Sequence, residues 1–233
     1  SLPCRVDAMR RLAPDVMALW LRLPAVEPFR WQCGQYIDVM LPGERRRSFS
    51  LANPPHAADR LELHVRPGPR GAFTEQVYTS IQPGALLPIE GPLGQFIYRP
   101  GRPPLLLVGG GTGYAPLKAM IRQVLETEAG RDITLFWGAR TAADLYDDAW
   151  LRGLAAGNPR FRYTSVLSEQ ARDGPHESAY VHEAVVRKVA GLAGFVVYPG
   201  GPPAMIDAVR AALPAQGADP ARIYFDSFDY APA

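Results

Sequence analysis

The sequence predicts an α+β protein of two domains: a small antiparallel β-barrel over residues 1–100, then an α/β domain with a parallel sheet over residues 101–233. Short strand-like segments broken by turns fill the first hundred residues, whereas apolar runs alternate with helical patterns in the rest. Proline and glycine concentrate between the two parts, at Tyr98–Pro104. A chain of 233 residues is long enough for two such domains.

The barrel strands are predicted from short patterned segments. Leu61–Arg66 alternates apolar and polar residues, which is the pattern of a half-buried strand. Met17–Leu23, Gln35–Leu41 and Leu86–Glu90 are further candidate strands. Because glycine and proline separate these segments at close spacing, together they favour a small barrel.

The α/β domain is predicted from an alternation of two patterns. Four runs of apolar, β-branched or aromatic residues predict strands at Leu105–Gly110, Ile133–Gly138, Phe161–Leu167 and Phe195–Tyr198. Helical spacing of apolar residues predicts helices at 117–125, Val181–Leu192 and Met205–Leu213. Ligands bind at the carboxyl ends of the strands in such sheets, so we expect the active site in the crevice between the two domains.

Composition argues against several classes of protein. The formal net charge of +2 is too small to indicate binding to nucleic acid or to an anionic membrane. No apolar run approaches the roughly 20 residues of a membrane span, and the N-terminus has no signal-peptide pattern. With only Cys4 and Cys33, the chain lacks the four thiolates of a plant-type iron–sulfur cluster and has no disulfide framework. We therefore expect a cytoplasmic protein with no metal site.

The segment Leu105–Met120 is the most informative part of the chain. A buried apolar strand leads into a glycine-rich turn, and the turn opens a helix with Pro116 in its first turn. The turn contains Gly110, Gly111, Thr112 and Gly113. Glycine lets the backbone come close to a ligand, and the helix offers free N–H groups to a pyrophosphate, so the segment indicates a dinucleotide site. Because Tyr114 follows Gly113, the segment is not G-x-G-x-x-G, which disfavours a Rossmann dehydrogenase.

A second candidate site lies upstream, where a basic turn leads into a strand that contains Arg47–Ser50. The planar fork of an arginine suits a diphosphate, so Arg47 is a candidate phosphate ligand. Phe49 and Ser50 would then line a flat aromatic ligand. The alternative, a solvated charged turn before a strand, remains open from these residues alone.

The order of motifs along the chain resembles that of ferredoxin–NADP⁺ reductase-like enzymes. Four motifs match the flavin domain of that family, at Arg47–Ser50, Leu63–Arg66, Gly71–Thr74 and Glu90–Gly94. The glycine segment, Gly200–Pro203 and Tyr224–Phe228 match its pyridine-nucleotide domain and C-terminal segment. The resemblance covers nearly the whole chain. It implies an antiparallel flavin-binding barrel, an NAD(P)-binding α/β domain, and hydride transfer from a nicotinamide to FAD.

The resemblance also implies which residues bind each cofactor. The flavin and its diphosphate would be held by Arg47, Ser48, Phe49, Ser50, His64, Val65, Arg66, Gly71, Ala72, Phe73 and Thr74. The nicotinamide nucleotide would be approached by Gly110, Gly111, Thr112, Gly113, Arg140, Gly200, Gly201 and Pro202. Phe225 would cover the flavin or the nicotinamide. The residues expected closest to the chemistry are Ser50, Thr112 and Gly200.

Two positions depart from the family pattern. The family usually has Cys-Gly-Pro-Pro, with a thiol beside the nicotinamide, and Gly200 stands at the thiol position here. We expect slower hydride transfer or looser nicotinamide positioning as a result, and faster flavin reduction if a cysteine is restored. Phe49 stands where many members have tyrosine, so a hydroxyl is lost while the stacking area remains.

The leading functional interpretation is an NAD(P)H-dependent flavoprotein reductase with bound FAD. It would pass electrons to an iron–sulfur protein or to a fused ferredoxin domain. Two alternatives remain: a free-flavin reductase that uses flavin as a substrate, and a non-catalytic flavin-binding electron-transfer subunit. Arg140 follows the second strand of the α/β domain and the acidic Glu169 follows the third. Glu169 weakly favours NADH over NADPH, and Arg172 nearby weakens that preference.

Overall fold

A computed structural model describes residues 1–25, 28–43, 45–57, 59–67, 72–128, 130–169 and 174–225. The first part of the chain forms an antiparallel sheet of six strands. They are β1 (Leu2–Ala13), β2 (Val16–Arg22), β3 (Tyr36–Leu41), β4 (Arg45–Ser50), β5 (Arg60–Val65) and β6 (Leu86–Leu93), arranged in the order β4-β3-β6-β1-β2-β5. A short helix, α1 (Ala72–Thr79), connects β5 to β6.

This sheet closes on itself to form the barrel. Just after β4, Leu51 forms a bridge with Leu63 of β5, so the two edge strands of the sheet meet. The Ala52 N–H donates to the Glu62 carbonyl at 2.9 Å and extends the closure. Closure leaves apolar side chains such as Leu19, Ile37 and Leu63 in a buried barrel core.

The second part of the chain forms a parallel sheet with helices on both faces. Its strands are β7 (Leu105–Gly110), β8 (Ile133–Ala139), β9 (Phe161–Leu167), β10 (Glu177–Ser178) and β11 (Val196–Gly200), in the order β10-β9-β8-β7-β11. Its helices are α2 (Tyr114–Thr127), α3 (Asp148–Gly157), α4 (Val181–Lys188) and α5 (Pro203–Ala212). Parallel strands need such crossover connections, which explains the alternation in the sequence.

Alternate side chains of β7 enter two different cores. Leu105 and Leu107 pack with residues of α2 and α3, whereas Leu106 and Val108 pack with residues of α4 and α5. A strand buried on both faces must be apolar throughout, which is why Leu105–Val108 contains no polar residue.

The strand order places the site at β7. From β7 the chain adds β8 on one side, and later β11 on the other side, where Gly200 pairs with Gly109. The carboxyl ends of β7 and β11 therefore form the switch point at which ligands bind in open α/β sheets. The turn after β7 and the Gly-Gly-Pro-Pro segment after β11 are the two sides of this crevice.

The fold class predicted from the sequence, a barrel followed by a parallel-sheet α/β domain, is confirmed, with differences in detail. The predicted strands and helices all correspond to observed elements, but β1, α1, α3 and β10 were not predicted. Strand β4 begins at Arg45, inside the predicted basic turn. The larger difference is in β5, where Leu61–Val65 is buried on both faces rather than one.

The two domains share part of one core. Cys33, Phe96 and Tyr98 come from the first hundred residues, but they pack with the apolar side chains of α2 and β7. The Tyr98 amide donates to the Cys33 carbonyl at 2.9 Å. The predicted division near residue 100 stays a prediction, since these side chains belong to the core of the second sheet.

Candidate functional site

Two motifs of the barrel come together at the end of β4. The rings of Phe49 in β4 and Phe73 in α1 lie with their centroids 5.6 Å apart in a tilted arrangement. Phe73 is fully buried and Phe49 is half-buried. The contact places the Arg47–Ser50 segment beside the N-terminal end of α1, and the dipole of a helix favours an anion at that end.

The remaining barrel residues lie around this contact. Ser48 Oγ donates to Asp38 Oδ1 at 2.6 Å, and Arg47 Nη1 donates to the Arg46 carbonyl at 3.0 Å. Ser50 is half-buried at the end of β4, and Thr74 is buried in the first turn of α1. Ala72 is the first residue of α1, and Gly71 lies outside the described residues.

We call the turn between β7 and α2, residues 110–113, the glycine turn. The indole of Trp137 contacts it through a hydrogen bond. Gly111 adopts a left-handed conformation with φ of +54°, which favours glycine. Its carbonyl accepts a hydrogen bond from Trp137 Nε1 at 3.0 Å. Trp137 is fully buried in β8 and stacks on Tyr114, with ring centroids 4.2 Å apart. Thr112 lies half-buried in the same turn.

The glycine turn also packs directly on the segment that follows β11. A Cβ atom on Gly113 would overlap the backbone of Gly200 and Gly201, and one on Gly200 would overlap the Gly113 carbonyl oxygen. This geometry argues against the expectation that a cysteine at position 200 speeds flavin reduction, because a side chain there meets backbone rather than the crevice. Pro202 is exposed and accepts amide hydrogen bonds from Met205 and Ile206 at the start of α5.

Arg66 connects the barrel to the glycine turn. It follows β5, and its Nη1 atom would lie 3.1 Å from a Cβ atom on Gly111. Its Nη2 atom donates to Asp144 Oδ1 of the α/β domain at 3.3 Å. Its Nε atom lies 3.1 Å from Asp15 Oδ2, yet the direction is unsuitable and this buried nitrogen makes no hydrogen bond among the described residues.

The side chain of His64 lies inside the domain interface. It is fully buried, with Nε2 at 2.9 Å from Glu62 Oε1 and Nδ1 at 2.8 Å from the Tyr146 hydroxyl. Burial lowers the pKa of His64, so the imidazole is neutral. Since the Glu62 carboxylate can only accept, Nε2 carries the proton and Nδ1 accepts from Tyr146. Both ring nitrogens are thus used within the protein, so the imidazole has no ring nitrogen left for a ligand.

Val65 is buried, and its carbonyl accepts from the Tyr78 hydroxyl at 3.0 Å. Arg140 and Glu169 lie at the carboxyl ends of β8 and β9, two interior strands of the α/β sheet. Arg140 is exposed after β8, and its carbonyl accepts from the amide of Glu169, which is exposed after β9. The Cζ atom of Arg210 lies 4.0 Å from the centroid of the Phe225 ring. Because Arg210 is in the last turn of α5, Phe225 lies near the C-terminal end of that helix, whereas the crevice is at its N-terminal end.

Several residues of the site were not predicted from the sequence. They are Glu62, Tyr114, Lys118, Trp137, Asp144, Tyr146 and Asp147. A signal was present for one of them: Glu62 lies two residues before the predicted His64, so both side chains occupy one face of the strand. A polar face of a strand can be covered by a second domain or exposed to solvent, so the pattern alone does not identify an interface.

The site fits a flavin and a dinucleotide on three observations. The glycine turn forms a cradle that a Cβ atom would fill, since one on Gly110 would meet Met205 and one on Gly111 would meet Arg66. Phe49 offers a half-buried aromatic ring beside a helix N-terminus. The Nε atom of Arg66 is a buried donor that makes no hydrogen bond within the described ranges, although the Asp15 carboxylate lies 3.1 Å away. Within the described ranges, no three His, Cys, Asp or Glu side chains are grouped so as to hold a metal ion.

None of the helices in the described part of the chain is long and apolar enough to span a membrane.

Comparison with known proteins supports the same division of the site. The family model of the oxidoreductase FAD-binding domain matches residues 3–98, and that of the oxidoreductase NAD-binding domain matches residues 107–211. The chain is 33% identical over 228 residues to the CDP-6-deoxy-L-threo-D-glycero-4-hexulose-3-dehydrase reductase of Yersinia pestis, covering 98% of this chain and 69% of the relative.

A second relative is the reductase component of a phenol 2-monooxygenase from Pseudomonas sp. strain CF600. It is 39% identical over 214 residues, with coverage of 89% of this chain and 60% of the relative. Among solved structures, the cytochrome P450 reductase GcoB of Amycolatopsis matches with a TM-score of 0.90 and 34% identity, covering 97% of this chain and 69% of that one. The chain thus spans 60% to 69% of the length of these proteins.

Similarity of this extent, over both domains and in the same order, accounts for the barrel, the glycine turn and the crevice between them. The chain therefore belongs to the ferredoxin–NADP⁺ reductase-like family of flavoprotein oxidoreductases, with an FAD-binding barrel followed by an NAD-binding α/β domain.

Proposed function

We propose that this chain transfers a hydride from NADH to an FAD held in the barrel and then passes the electrons to an iron–sulfur protein or ferredoxin domain. The observation that carries the proposal is the approach of Arg66, from the end of β5, to the glycine turn, where its Nη1 atom lies 3.1 Å from the position of a Cβ atom on Gly111. It brings the flavin motifs of the barrel and the nucleotide motif of the α/β domain to one crevice. Bound FAD would supply the redox chemistry, and the protein would supply orientation and electrostatics.

The barrel residues would bind and orient the flavin. Arg47 would pair with a phosphate, and the N–H groups at the start of α1, with Thr74, would donate to the diphosphate. Phe49 would stack on the flavin ring, with Phe73 supporting it from behind. Ser50 and the backbone that follows His64 would line the ring edge.

The glycine turn and the segment after β11 would orient the nicotinamide. Gly110, Gly111 and Thr112 would approach the nicotinamide and pyrophosphate, since glycine admits a close backbone contact. The tight packing of Gly113 on Gly200 would give the floor of the crevice a fixed shape. Closure of the crevice by both domains would exclude water from the path of the hydride.

NADH rather than NADPH is proposed because of the charge at the carboxyl ends of β8 and β9. Glu169 is exposed where the adenosine ribose of a nucleotide bound at the switch point would lie. A carboxylate accepts a hydrogen bond from a free 2′-hydroxyl and repels a 2′-phosphate. Arg140 is the neighbouring cation and would pair with the pyrophosphate or ribose from the end of β8.

An absorbance spectrum of the purified protein, before and after anaerobic addition of NADH, tests the proposal. A flavin band that copurifies with the protein and bleaches on addition of NADH is the expected result. A colourless protein that oxidises NADH only with added free flavin would instead assign flavin the role of substrate, an outcome that the missing thiol at Gly200 allows. A flavin that NADH leaves oxidised would indicate a binding subunit without reductase activity.

The acceptor needs a separate experiment, because the relatives act with different partners. Once NADH bleaches the flavin, a plant-type ferredoxin is added anaerobically and its own absorbance is followed. Reduction of the cluster at a rate that depends on both NADH and this chain is expected. Electron transfer to artificial acceptors such as ferricyanide, with none to the ferredoxin, would contradict an iron–sulfur acceptor.

A further inference from the structure

The polar face of β5 is covered by α2 of the α/β domain rather than by solvent. Glu62 Oε1 accepts from Lys118 Nζ at 2.9 Å as well as from His64 Nε2. Lys118 Nζ also lies 3.2 Å from Asp147 Oδ2, which accepts from the Tyr114 hydroxyl at 3.0 Å. One ammonium group thus joins a carboxylate of the barrel to a carboxylate of the α/β domain.

All three charged side chains are withdrawn from water. The exposed fraction is 14% for Lys118, 7% for Glu62 and 12% for Asp147. Buried ion pairs of this kind add little net stability over apolar side chains of the same volume, because desolvation offsets the attraction. Their geometry is nevertheless strict, because each donor must find its acceptor. The arrangement is therefore better suited to fixing an orientation than to stabilising the fold.

The ion pairs of Lys118 with Glu62 and Asp147 connect the two elements that would carry the hydride donor and the hydride acceptor. Lys118 lies in the second turn of α2, the helix that starts directly from the glycine turn. Glu62 lies in β5, four residues before Arg66, whose Nη1 atom lies 3.1 Å from the position of a Cβ atom on Gly111. A helix and a barrel strand are stiff over such short distances, so a contact between them determines how the glycine turn faces the end of β5.

We propose that Lys118 is a positioning residue for hydride transfer, which holds the glycine turn and the end of β5 in one fixed arrangement by bridging Glu62 and Asp147. The inference rests on the proposed function, because the glycine turn would carry the nicotinamide and β5 would line the flavin. Hydride donor and acceptor must approach to about 3–3.5 Å, and a misplacement of about 1 Å costs on the order of a hundredfold in rate.

The chain offers a matched control for a test of this role. Lys188 is the other lysine in the sequence, and its Nζ atom lies 2.9 Å from Glu177 Oε1 at the surface, with 44% of its side chain exposed. Lys118→Met and Lys188→Met therefore remove the same ion pair chemistry, one inside the domain interface and one outside it. Surface pairs contribute little, so Lys188→Met should behave as the wild-type protein.

Three quantities are measured on each holoprotein: flavin content, the rate of flavin reduction by NADH in a stopped-flow instrument, and the long-wavelength charge-transfer absorbance when NAD⁺ is added to dithionite-reduced protein. The charge-transfer band reports the stacking of nicotinamide on flavin and requires no turnover. For Lys118→Met we expect unchanged flavin content, reduction slowed roughly ten- to a hundredfold, and a weakened band.

A purely structural role predicts a different result. Reduction by Lys118→Met within twofold of Lys188→Met, with an undiminished band, would overturn the proposal even if the melting temperature fell. Should Lys118→Met not fold, the double variant Glu62→Gln/Lys118→Met removes the more buried of the two carboxylates that lose the ammonium, and it must show the same slow reduction and weak band. Wild-type flavin that NADH does not bleach would overturn the proposed function together with this role, whereas normal bleaching in every variant overturns this role alone.

Discussion

Gly113 and Gly200 approach each other so closely that a Cβ atom on either residue would overlap backbone atoms of the other. The contact joins the glycine turn before α2 to the segment before α5, so it sets the width of the crevice at the switch point. Glycine is required here by the space between two backbones, since neither residue has a positive φ. The absence of the family's thiol at position 200 and the close packing of the turn are therefore linked features.

This contact predicts that Gly200→Cys is harmful. The new side chain must displace the Gly113 carbonyl, and overpacking of this kind costs about 1–3 kcal/mol of unfolding free energy. We expect a melting temperature lower by several degrees and flavin reduction no faster than in the wild-type protein. Gly153→Ala is the control, because a Cβ atom at Gly153 in α3 meets open space and the helix gains up to about 1 kcal/mol. Faster reduction by a stable Gly200→Cys protein would refute this account of the crevice.

The contrast between β5 and β7 shows how far the sequence determines this structure. Leu105–Val108 is apolar at every position, so its burial on both faces follows from the sequence alone. In β5 the alternation at Leu61–Arg66 predicted one solvent-facing side, and only the positions of α2 and Tyr146 explain why Glu62 and His64 are buried. Local periodicity identifies which residues share a face of a strand, but not what covers that face.

The same limit applies to the rest of the site. The glycine turn and Arg47–Ser50 could be found because tight turns and phosphate contacts require particular residue types at adjacent positions. Trp137 and Tyr146 are brought to the site by folding, from another strand and a loop. The residues around them in the sequence show no comparable pattern. Strand β1 was missed because its arginines interrupt the apolar alternation, although its partners β2 and β6 bury Cys4 and Val6.

Trp137→Phe should weaken nucleotide binding while leaving the core packed. Phenylalanine keeps most of the stacking on Tyr114, but the Gly111 carbonyl loses its hydrogen bond from the indole. A hydrogen bond of this type contributes about 0.5–1.5 kcal/mol, so a roughly two- to tenfold rise in the Kd of NAD⁺ is expected, measured by isothermal titration calorimetry. Flavin content should not change.

Trp31→Phe is the matched control for this measurement. Trp31 is also buried, and its Nε1 atom donates to the Asn53 carbonyl at 3.1 Å within the barrel. Both variants should lose comparable stability, but only Trp137→Phe should lose nucleotide affinity. Equal NAD⁺ affinity in the two variants would show that the indole hydrogen bond does not hold the glycine turn in its binding conformation.

Glu62 and His64 should make the stability of the protein sensitive to acid. Burial opposes ionisation of Glu62, but the hydrogen bond from His64 and the charge of Lys118 outweigh it and lower the pKa of Glu62 to about 2. Burial also lowers the pKa of His64. In both cases the unfolded chain binds the proton more readily, so stability is complete above the unfolded-state pKa and is lost as the pH falls below it. The loss of stability begins at a pH of about 6.5 for histidine and about 4.3 for glutamate.

Urea unfolding between pH 7.5 and pH 3 measures this effect. Glu62→Gln should be less stable than the wild-type protein at pH 7.5, and the difference should shrink as the pH falls below about 4.3, the unfolded-state pKa of glutamate. Glu90→Gln is the control, because it removes a carboxylate that is 46% exposed beside Arg46. If Glu62→Gln and Glu90→Gln change the acid dependence equally, the buried network is not its source.

The choice between NADH and NADPH should depend on Glu169. Its carboxylate is exposed at the carboxyl end of β9, and its amide donates to the Arg140 carbonyl at 3.1 Å. Glu169→Ala removes the acceptor for a 2′-hydroxyl and the repulsion of a 2′-phosphate. Because the group is exposed and screened, each effect is about 1 kcal/mol or less, which predicts a three- to tenfold fall in the NADH-to-NADPH ratio of kcat/KM. Asp132→Asn is the control, since Asp132 pairs with Arg160 just before β8, at the opposite edge of the sheet from the crevice. An unchanged ratio in Glu169→Ala would place the adenosine ribose elsewhere along that edge and leave Arg140 as the residue to test next.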